Sequence, residues 1–330
     1  MDDRAERRVS LDVVIPVWNE EDVLGLLFAR LREVFSAERL LGTGIRSVRY
    51  LIVDDGSQDR TAQLARDAIE QGLPAVLYRF SRNFGHQSAV SAGLEHSTAD
   101  VTAIIDADLQ DPPELIHDMV ARWRDGFDVI YAQRRRRKEG WLKVAGSWLF
   151  YRLVSALSDI RVPLDSGDFC LMDRRVVRGI CDLPEKLRFP RGLRAWIGFR
   201  QTGVEYERPV RRAGRSKYTL ARLYRLATDG VAAASIRPLK LAQVFSFSYL
   251  VLITILGLFV LRQQLFGGGP EIPPLILLGY LLILSGNFVQ AFCSYILGAY
   301  VGRTYLEVKG RPPYVLMEVV RGEESGDGEP

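Results

Sequence analysis

The sequence predicts an α/β fold with a mostly parallel, doubly wound sheet, followed by a hairpin of two transmembrane helices. Over the first 135 residues, apolar runs rich in Val and Ile alternate with segments of helical periodicity. That alternation is typical of a parallel sheet. Further along, two long stretches contain no charged residue. Each is long enough to cross a bilayer as a helix.

Five strands are expected in the first part of the chain. A helix is expected between about residues 20 and 35, another from about Thr61, and a third, made of small residues, between about 86 and 96. The predicted strands lie at residues 11–17, 48–53, 75–80, 101–105 and 127–132.

The fourth predicted strand ends in a cluster of carboxylates, residues 106–111 (DADLQD). In open α/β sheets the ligand crevice lies beyond the carboxyl ends of the strands. Crowded carboxylates repel one another unless a cation neutralises them, and Mg²⁺ sites often combine one or two carboxylates with substrate phosphates. Asp106 and Asp108 are therefore predicted to bind a divalent cation, with an ordinary strand end as the alternative. Asp111 precedes two prolines, which favours a helix N-cap.

Polar residues also follow the first three strands. They are Trp18-Asn19-Glu20, Asp54-Asp55-Gly56 and Arg82-Asn83. We expect these loops to converge with the acidic cluster on one rim. No glycine-rich phosphate fingerprint follows the first strand, which disfavours dinucleotide binding. A metal and arginines are expected to hold phosphate instead.

Charge and cysteine usage restrict the class of protein. The 330 residues are 48% hydrophobic and 25% charged with a net charge of +4, which fits a globular domain with embedded segments. Basic residues cluster at 134–138 and between 186 and 217. Such patches favour phosphates or lipid headgroups, and a solvated basic face is the alternative. The three cysteines have no metal-ligand spacing, which indicates a reducing compartment.

The two uncharged stretches lie at residues 241–261 and 275–301. A buried core helix is the alternative for either one, but the short Gly/Pro-containing connection favours a membrane hairpin. Arg237, Lys240 and Arg303 lie on the outer flanks. The positive-inside tendency therefore places both ends of the hairpin in the cytoplasm.

These features predict three regions. Residues 1–235 form a cytoplasmic domain with interfacial amphipathic helices at about 140–157 and 218–235. For the helix at 140–157, packing in the core is the alternative. Residues 236–303 hold the two spans, in which Asn287 and Gln290 favour contact with another helix and self-association. Residues 304–330 form a cytoplasmic tail with a disordered acidic end.

Taken together, the motifs resemble the family 2 glycosyltransferases of GT-A fold, which is Rossmann-like with a mostly parallel sheet. More narrowly, the chain is similar to the polyisoprenyl-phosphate glycosyltransferases over roughly residues 10 to 315. The segments that carry the resemblance are 14–21 (VIPVWNEE), 53–57 (VDDGS), 81–85 (SRNFG), 106–111 (DADLQD), 165–169 (DSGDF), 191–193 (RGL) and 214–218 (GRSKY).

The resemblance implies Mg²⁺ or Mn²⁺ held by Asp106, Asp108 and Gln110 against the donor diphosphate. It implies that Arg134 faces the phosphates and that Arg211 and Lys217 grip donor diphosphate and acceptor phosphate. Asp168 would orient sugar hydroxyls or cap the following turn, and both roles stay open. The implied catalytic set is Asp108, Arg134, Asp168, Arg211 and Lys217. The implied nucleotide-sugar contacts are Pro16, Asn19, Glu20, Val53, Asp55, Arg82, Asp106, Ala107, Asp108, Gln110 and Arg134.

The chain departs from the family pattern at two positions. Trp18 stands where a tyrosine is usual, and Arg215 stands where an acidic residue is usual. Trp18 can stack on a base or form a wall of the pocket. Arg215 can grip an anionic acceptor or face solvent.

The expected activity is inverting transfer of glucose from UDP-glucose to a polyprenyl phosphate, by a multi-pass enzyme of the cytoplasmic membrane. The family also implies a homo-oligomer, as a tetramer. A GDP-mannose donor is the alternative, and a non-catalytic membrane-anchored nucleotide-sugar binder is a weaker one. A processive polysaccharide synthase is disfavoured because its Gln-x-x-Arg-Trp motif is absent. Nucleic-acid binding would leave the hairpin unexplained.

Overall fold

The computed structural model describes residues 4, 7–134, 166–186, 188–206, 237–266 and 272–322. These residues fall into two compact units. The larger unit contains the described residues up to Tyr206 together with those from Arg311 onward. The smaller unit contains the described residues between Arg237 and Gly310.

The described part of the larger unit is built on one eight-stranded sheet in the order β7-β5-β6-β4-β1-β2-β3-β8. Its strands are β1 (Val9–Val17), β2 (Ile45–Asp54), β3 (Ala75–Phe80), β4 (Val101–Ile104), β5 (Val129–Arg134), β6 (Ser166–Asp173), β7 (Gln201–Tyr206) and β8 (Leu316–Arg321). Its helices are α1 (Glu21–Val34), α2 (Ala37–Leu40), α3 (Thr61–Glu70), α4 (His86–Glu95), α5 (Leu115–Arg124), α6 (Arg174–Cys181) and α7 (Pro190–Trp196).

The centre of the sheet is parallel, as predicted. β1 pairs in parallel with β2 and β4, and β2 pairs in parallel with β3. β6 and β8 are antiparallel to their neighbours β4, β5 and β3. The central strands are nearly continuous apolar runs, since Val13, Val14 and Ile15 are fully buried. Such burial is expected for a parallel sheet with helices on both faces.

Three strands, β6, β7 and β8, were not predicted from the sequence. The prediction that residues 304–330 form a tail is corrected. Instead, a helix continues to Val308, and residues 316–321 join the sheet as β8 beside β3. The reason is that this strand is short and pairs with residues more than 200 positions earlier. Local periodicity cannot report such a pairing.

The smaller unit contains two long helices, α8 (Arg237–Phe266) and α9 (Ile272–Val308), which include the two predicted spans. They pack against each other through the Tyr249 hydroxyl, which donates to the Leu282 carbonyl, and through an edge-to-face contact between Phe245 and Phe292. Among the described residues, only 278–308 is long and apolar enough to cross a membrane by length and composition. The apolar segment of α8, residues 243–259, is shorter.

Several predicted features lie outside the described residues. They are Arg211, Lys217, Arg215, the two amphipathic helices at 140–157 and 218–235, and the acidic end of the chain beyond residue 322. For Arg134 the structure describes the backbone at the end of β5.

A buried carboxylate ties the sheet to the segment that leads into β4. Asp12, on β1, is 2% exposed. It accepts two hydrogen bonds from Arg49 on β2, at 2.8 and 2.9 Å, and one from the Ser97 hydroxyl. The backbone N–H groups of Thr98 and Ala99 also donate to it. The Asp12 side chain therefore satisfies donors from two segments, β2 and residues 97–99.

Replacing this carboxylate should destabilise the larger unit. We expect Asp12→Ala to lower the free energy of unfolding by about 3 kcal/mol, because it leaves buried hydrogen-bond donors and the Arg49 guanidinium without their acceptor. Chemical denaturation of the purified protein in detergent measures this change. Arg39→Ala removes an exposed ion pair with Glu33 and should change stability little. Equal effects of the two substitutions would contradict the role given to Asp12.

Candidate active site

The carboxyl ends of four strands meet at one edge of the sheet. Because β1, β2, β3 and β4 run parallel, the loops after Val17, Asp54, Phe80 and Ile104 all leave from that edge. β5 ends at the same edge with Arg134, which is paired with Tyr206 at the end of β7. β6 runs the other way, so it begins there, with Asp168 near its start. The sheet thus gathers the predicted site residues of the described chain.

The loop after β1 is fastened to the loop after β2. Asn19 adopts a left-handed backbone with φ of 53°. Its side-chain oxygen accepts the Gln58 N–H at 2.8 Å, and its own N–H donates to the Ser57 hydroxyl. The Glu20 N–H donates to the Thr61 hydroxyl at 2.9 Å. Asn19 and Glu20 were predicted to line a nucleoside pocket, and their described contacts position the two loops that form the rim.

Two buried aspartates brace the second and third loops. Asp54 is fully buried, pairs with Arg79 at 3.2 Å and accepts the Ser57 N–H. Asp55 accepts the backbone N–H groups of Phe84 and Gly85. Burial raises the pKa of Asp55, and those two hydrogen bonds oppose the rise. Contact of Asp55 with a base or ribose stays a prediction.

Two of the predicted contacts have buried side chains. The Val53 side chain is fully buried, and that of Ala107 is 4% exposed. Both side chains belong to the hydrophobic core beneath the rim, so any contact with the nucleotide sugar would be made by the backbone and stays a prediction. Pro16 is buried as well, within β1. These positions support the rim because their side chains are apolar and lie within, or next to, the strands.

A cavity of about 330 Å³ opens among the ends of β1, β2 and β3. Arg82, a predicted contact, lines it, with its guanidinium 4.0 Å from the centre of the Phe84 ring. Trp18 lines it too. The lining residues in the described chain are Trp18, Gly56, Ser57, Gln58, Arg79, Phe80, Ser81, Arg82, Asn83 and Met317.

The carboxylate cluster follows β4 and contains a strained residue. Leu109 has φ of 57°, which is uncommon for a residue other than glycine. The turn places the Gln110 N–H 3.1 Å from an Asp108 carboxylate oxygen. The pKa of Asp106 is raised to about 6, chiefly by burial; His86 opposes the rise, and Asp168, Asp111 and Asp108 add to it.

The predicted metal ligands are two carboxylates and the amide of Gln110. Hard oxygen donors of this kind fit Mg²⁺ or Mn²⁺, and a bound cation would relieve the crowding of charge around Asp106. Within the described ranges, no group of three or more His, Cys, Asp or Glu side chains is arranged around one metal position. The assignment of Asp106, Asp108 and Gln110 stays a prediction.

The expected N-cap at Asp111 is wrong. Helix α5 begins at Leu115, with Glu114 as its N-cap residue. Asp111 is buried, and its carboxylate accepts a hydrogen bond from the Tyr206 hydroxyl at the end of β7. The two prolines are followed by a turn before the helix starts, so Asp111 does not cap the helix and instead binds a side chain from another strand.

One site residue was missed by the sequence analysis. His86 is the first residue of α4, directly after the 81–85 motif. Its Nε2 lies 3.5 Å from an Asp168 oxygen and 3.8 Å from an Asp106 oxygen. Arg191 lies on the other side of Asp168, at 3.1 Å. The signal available in the sequence was a lone histidine next to a motif at a strand end.

The charges of this group support one another. Burial acts to raise the pKa of Asp168, but the hydrogen bond from His86 and the Arg191 guanidinium outweigh it and hold that pKa well below its usual range. Burial lowers the pKa of His86, but Asp168 and Asp106 reverse this and raise it. Asp168 lies inside β6, so of its two open roles capping a turn is excluded.

Gly56 sets how closely the second and third loops approach. Its φ is 69°, and a Cβ at this position would lie 2.4 Å from the Arg82 carbonyl carbon. Gly72 has φ of 82° with nothing within 4 Å of a Cβ. Both glycines therefore share the left-handed backbone, but only Gly56 lies against another loop.

The two glycines form a matched pair for mutation. We expect Gly72→Ala to cost about 1–2 kcal/mol of unfolding free energy, the usual strain of a left-handed alanine. Gly56→Ala should cost roughly 1–3 kcal/mol more, because the loop carrying Arg82 must move. Thermal or denaturant unfolding of both variants measures the difference. Equal losses would mean that the two loops separate freely.

Comparison with known proteins supports the assignment of the fold and the family. The profile of glycosyl transferase family 2 matches residues 12–181. The uncharacterized glycosyltransferase YkcC of Bacillus subtilis is 38% identical over 320 residues, covering 94% of each chain. An uncharacterized glycosyltransferase of Synechocystis is 38% identical, covering 94% of this chain and 96% of its own. The bactoprenol glucosyl transferase of Shigella phage SfII is 33% identical, covering 95% and 99%. The chain is a member of glycosyl transferase family 2, with the Rossmann-like GT-A fold.

Proposed function

We propose that this enzyme transfers glucose from UDP-glucose to a polyprenyl phosphate at the membrane surface. The observation that carries the proposal is the near full-length match to the bactoprenol glucosyl transferase, which includes both the candidate site and the apolar helices. Transfer to a lipid explains why one chain combines a sugar-transfer domain with such helices. A second supporting feature is the cavity of about 330 Å³ at the sheet edge, whose lining includes Trp18 and Arg82.

The donor nucleotide would occupy the cavity at the ends of β1, β2 and β3. Trp18 offers an aromatic face for a base, and Arg82 offers a guanidinium for phosphate. Asp106, Asp108 and Gln110 would hold Mg²⁺ or Mn²⁺ against the diphosphate. When bound, the cation neutralises charge on the departing nucleoside diphosphate as a Lewis acid.

The acceptor simplifies the chemistry. A phosphate monoester has a second pKa near 6, so its oxygen is already ionised at neutral pH. That oxygen attacks the anomeric carbon in line, the bond from carbon to the donor diphosphate breaks, and the nucleoside diphosphate leaves. Configuration inverts, so an α-linked donor yields a β-linked lipid phosphate sugar.

No general base is required for this reaction, and the charges around Asp168 are consistent with that. A carboxylate whose pKa is held low by His86 and Arg191 is a weak base. Its proposed role is to orient the sugar through a fixed, charged hydrogen-bond acceptor. Asp168 thus acts by position and not by accepting a proton.

Bringing two anions together is the remaining difficulty. We assign cationic groups at Arg134, Arg211 and Lys217 to the donor diphosphate and the acceptor phosphate. Arg134 is the last residue of β5 and lies at the same edge of the sheet as Asp168. Repulsion between phosphates grows when water is excluded, and nearby cations offset it.

The apolar helices supply the membrane location. Residues 278–308 have a mean hydropathy of 1.5 and supply the candidate span. We further propose that α8 and α9 both cross the bilayer, with the catalytic domain on the cytoplasmic side, and that the chain assembles as a homo-oligomer, a tetramer. Asn287 and Gln290 are exposed in the single chain, as an interface between copies requires.

A radiolabel assay tests the proposal. Membranes containing the enzyme are incubated with polyprenyl phosphate and labelled UDP-glucose, GDP-mannose or UDP-N-acetylglucosamine, with or without chelator. We expect label from UDP-glucose to enter the lipid fraction only when divalent metal is present. Transfer from GDP-mannose alone would replace the assigned donor, and no label in lipid from any donor would refute the proposal.

The metal assignment makes a separate prediction. Asp108→Ala should reduce glucose transfer by at least about 10³-fold, because charge on the leaving group is no longer neutralised. Asp118→Ala alters an exposed carboxylate on α5 and serves as the matched control. Folding is checked by thermal unfolding. Near-normal transfer by folded Asp108→Ala enzyme would remove Asp108 from the metal site.

A further inference from the structure

The strand that follows the apolar helices contributes a side chain to the cavity. β8 lies antiparallel to β3, and Arg79 pairs with Glu318 while the next residue, Phe80, pairs with Leu316. Met317 is therefore the extra residue of a β-bulge. Bulges often turn a side chain toward a functional site. Here the bulged residue is one of the residues that line the cavity.

The strand is held firmly on both sides of this bulge. Glu318 receives two hydrogen bonds from Arg66 on α3, at 2.6 and 3.1 Å. The Tyr314 ring stacks on Phe80, with 4.8 Å between ring centres. The Ser81 N–H donates to the Val315 carbonyl at 3.0 Å. Met317 consequently has a fixed backbone, although its side chain is 56% exposed.

The remaining lining of the cavity explains what Met317 could contact. Among the described residues, Ser57, Gln58, Ser81 and Asn83 are polar, while Arg79 and Arg82 are cationic. Met317, Trp18 and Phe80 are the large apolar exceptions, and Phe80 is 1% exposed. Met317 and Trp18 therefore provide the accessible apolar surface. A flat, aromatic nucleobase is the part of a nucleotide sugar that such surface fits.

We propose that Met317 is a donor-binding residue that contacts the nucleobase, so that β8 completes the nucleotide pocket. This inference rests on the proposed function and names a further residue of that site. A thioether is polarizable and makes favourable contacts with aromatic rings. The donor pocket is thus built from segments on both sides of the apolar helices in the sequence.

Nucleotide binding to the full-length enzyme in detergent tests the inference. Isothermal titration with UDP in the presence of Mg²⁺ is compared with titration with pyrophosphate, which has the phosphates but no base. We expect Met317→Ala to weaken UDP binding roughly two- to tenfold, the range expected for a thioether–aromatic contact. Pyrophosphate binding should not change. Met317→Leu should recover most of the UDP affinity through its apolar bulk.

Val319→Ala is the matched control, since Val319 is the next exposed apolar residue of β8 and does not line the cavity. It should leave UDP binding unchanged. Wild-type UDP affinity in Met317→Ala would overturn the inference. So would an equal loss of UDP and pyrophosphate binding, or an equal loss in Val319→Ala, because either would show a displaced strand. Absence of UDP and GDP binding by the wild-type enzyme would instead refute the proposed function.

Discussion

Parallel pairing of β1, β2, β3 and β4 is the constraint on which the candidate site depends. A parallel strand delivers its carboxyl end to the same edge as its neighbours, so the residues that follow each strand must meet there. Residues as distant in sequence as Trp18 and Asp106 are brought to one rim by the parallel pairing of β1 with β4. The antiparallel strand β6 then adds Asp168 from the opposite chain direction.

The loops at that rim are held together by buried polar contacts and close backbone approach. Asp55 accepts two N–H groups of the third loop, Asn19 accepts one from the second, and Gly56 allows the second and third loops to touch. The two hydrogen bonds to Asp55 satisfy partly buried backbone N–H groups that would otherwise be costly to leave unpaired. Asn19 and Asp55, which were predicted to contact the nucleotide sugar, therefore hold the rim loops in place. The side chains of Trp18 and Arg82 line the cavity.

The electrostatics of the rim combine crowded carboxylates with a small number of cations. Around Asp106, burial raises the pKa, His86 opposes the rise, and three neighbouring carboxylates add to it. Around Asp168 the balance is already met by His86 and Arg191, which keep that carboxylate ionised. Two aspartates at one edge thus have opposite shifts in pKa. In the proposed function, Asp106 would bind the metal and Asp168 would bind the sugar.

How much could be predicted from the sequence depended on whether the signal was local. Apolar periodicity determined β1 to β5 and the long helices, because each of these elements buries its own side chains in a regular pattern. The carboxylates after β4 were found for the same reason, since they directly follow a buried strand. β6, β7 and β8 were not predicted, and for β8 the reason is that it pairs with β3, more than 200 residues earlier.

The features of the site also separate into those found from local sequence and those found only in the folded chain. The sequence by itself determined the family, the acidic cluster and the apolar helices, all of which are encoded in consecutive residues. Only the tertiary structure decided that Val53 and Ala107 are core residues, that His86 lies between Asp106 and Asp168, and that Met317 reaches the cavity. Burial and proximity are set by which strands become neighbours. That choice follows from the free energy of packing the whole sheet, so no single segment contains it.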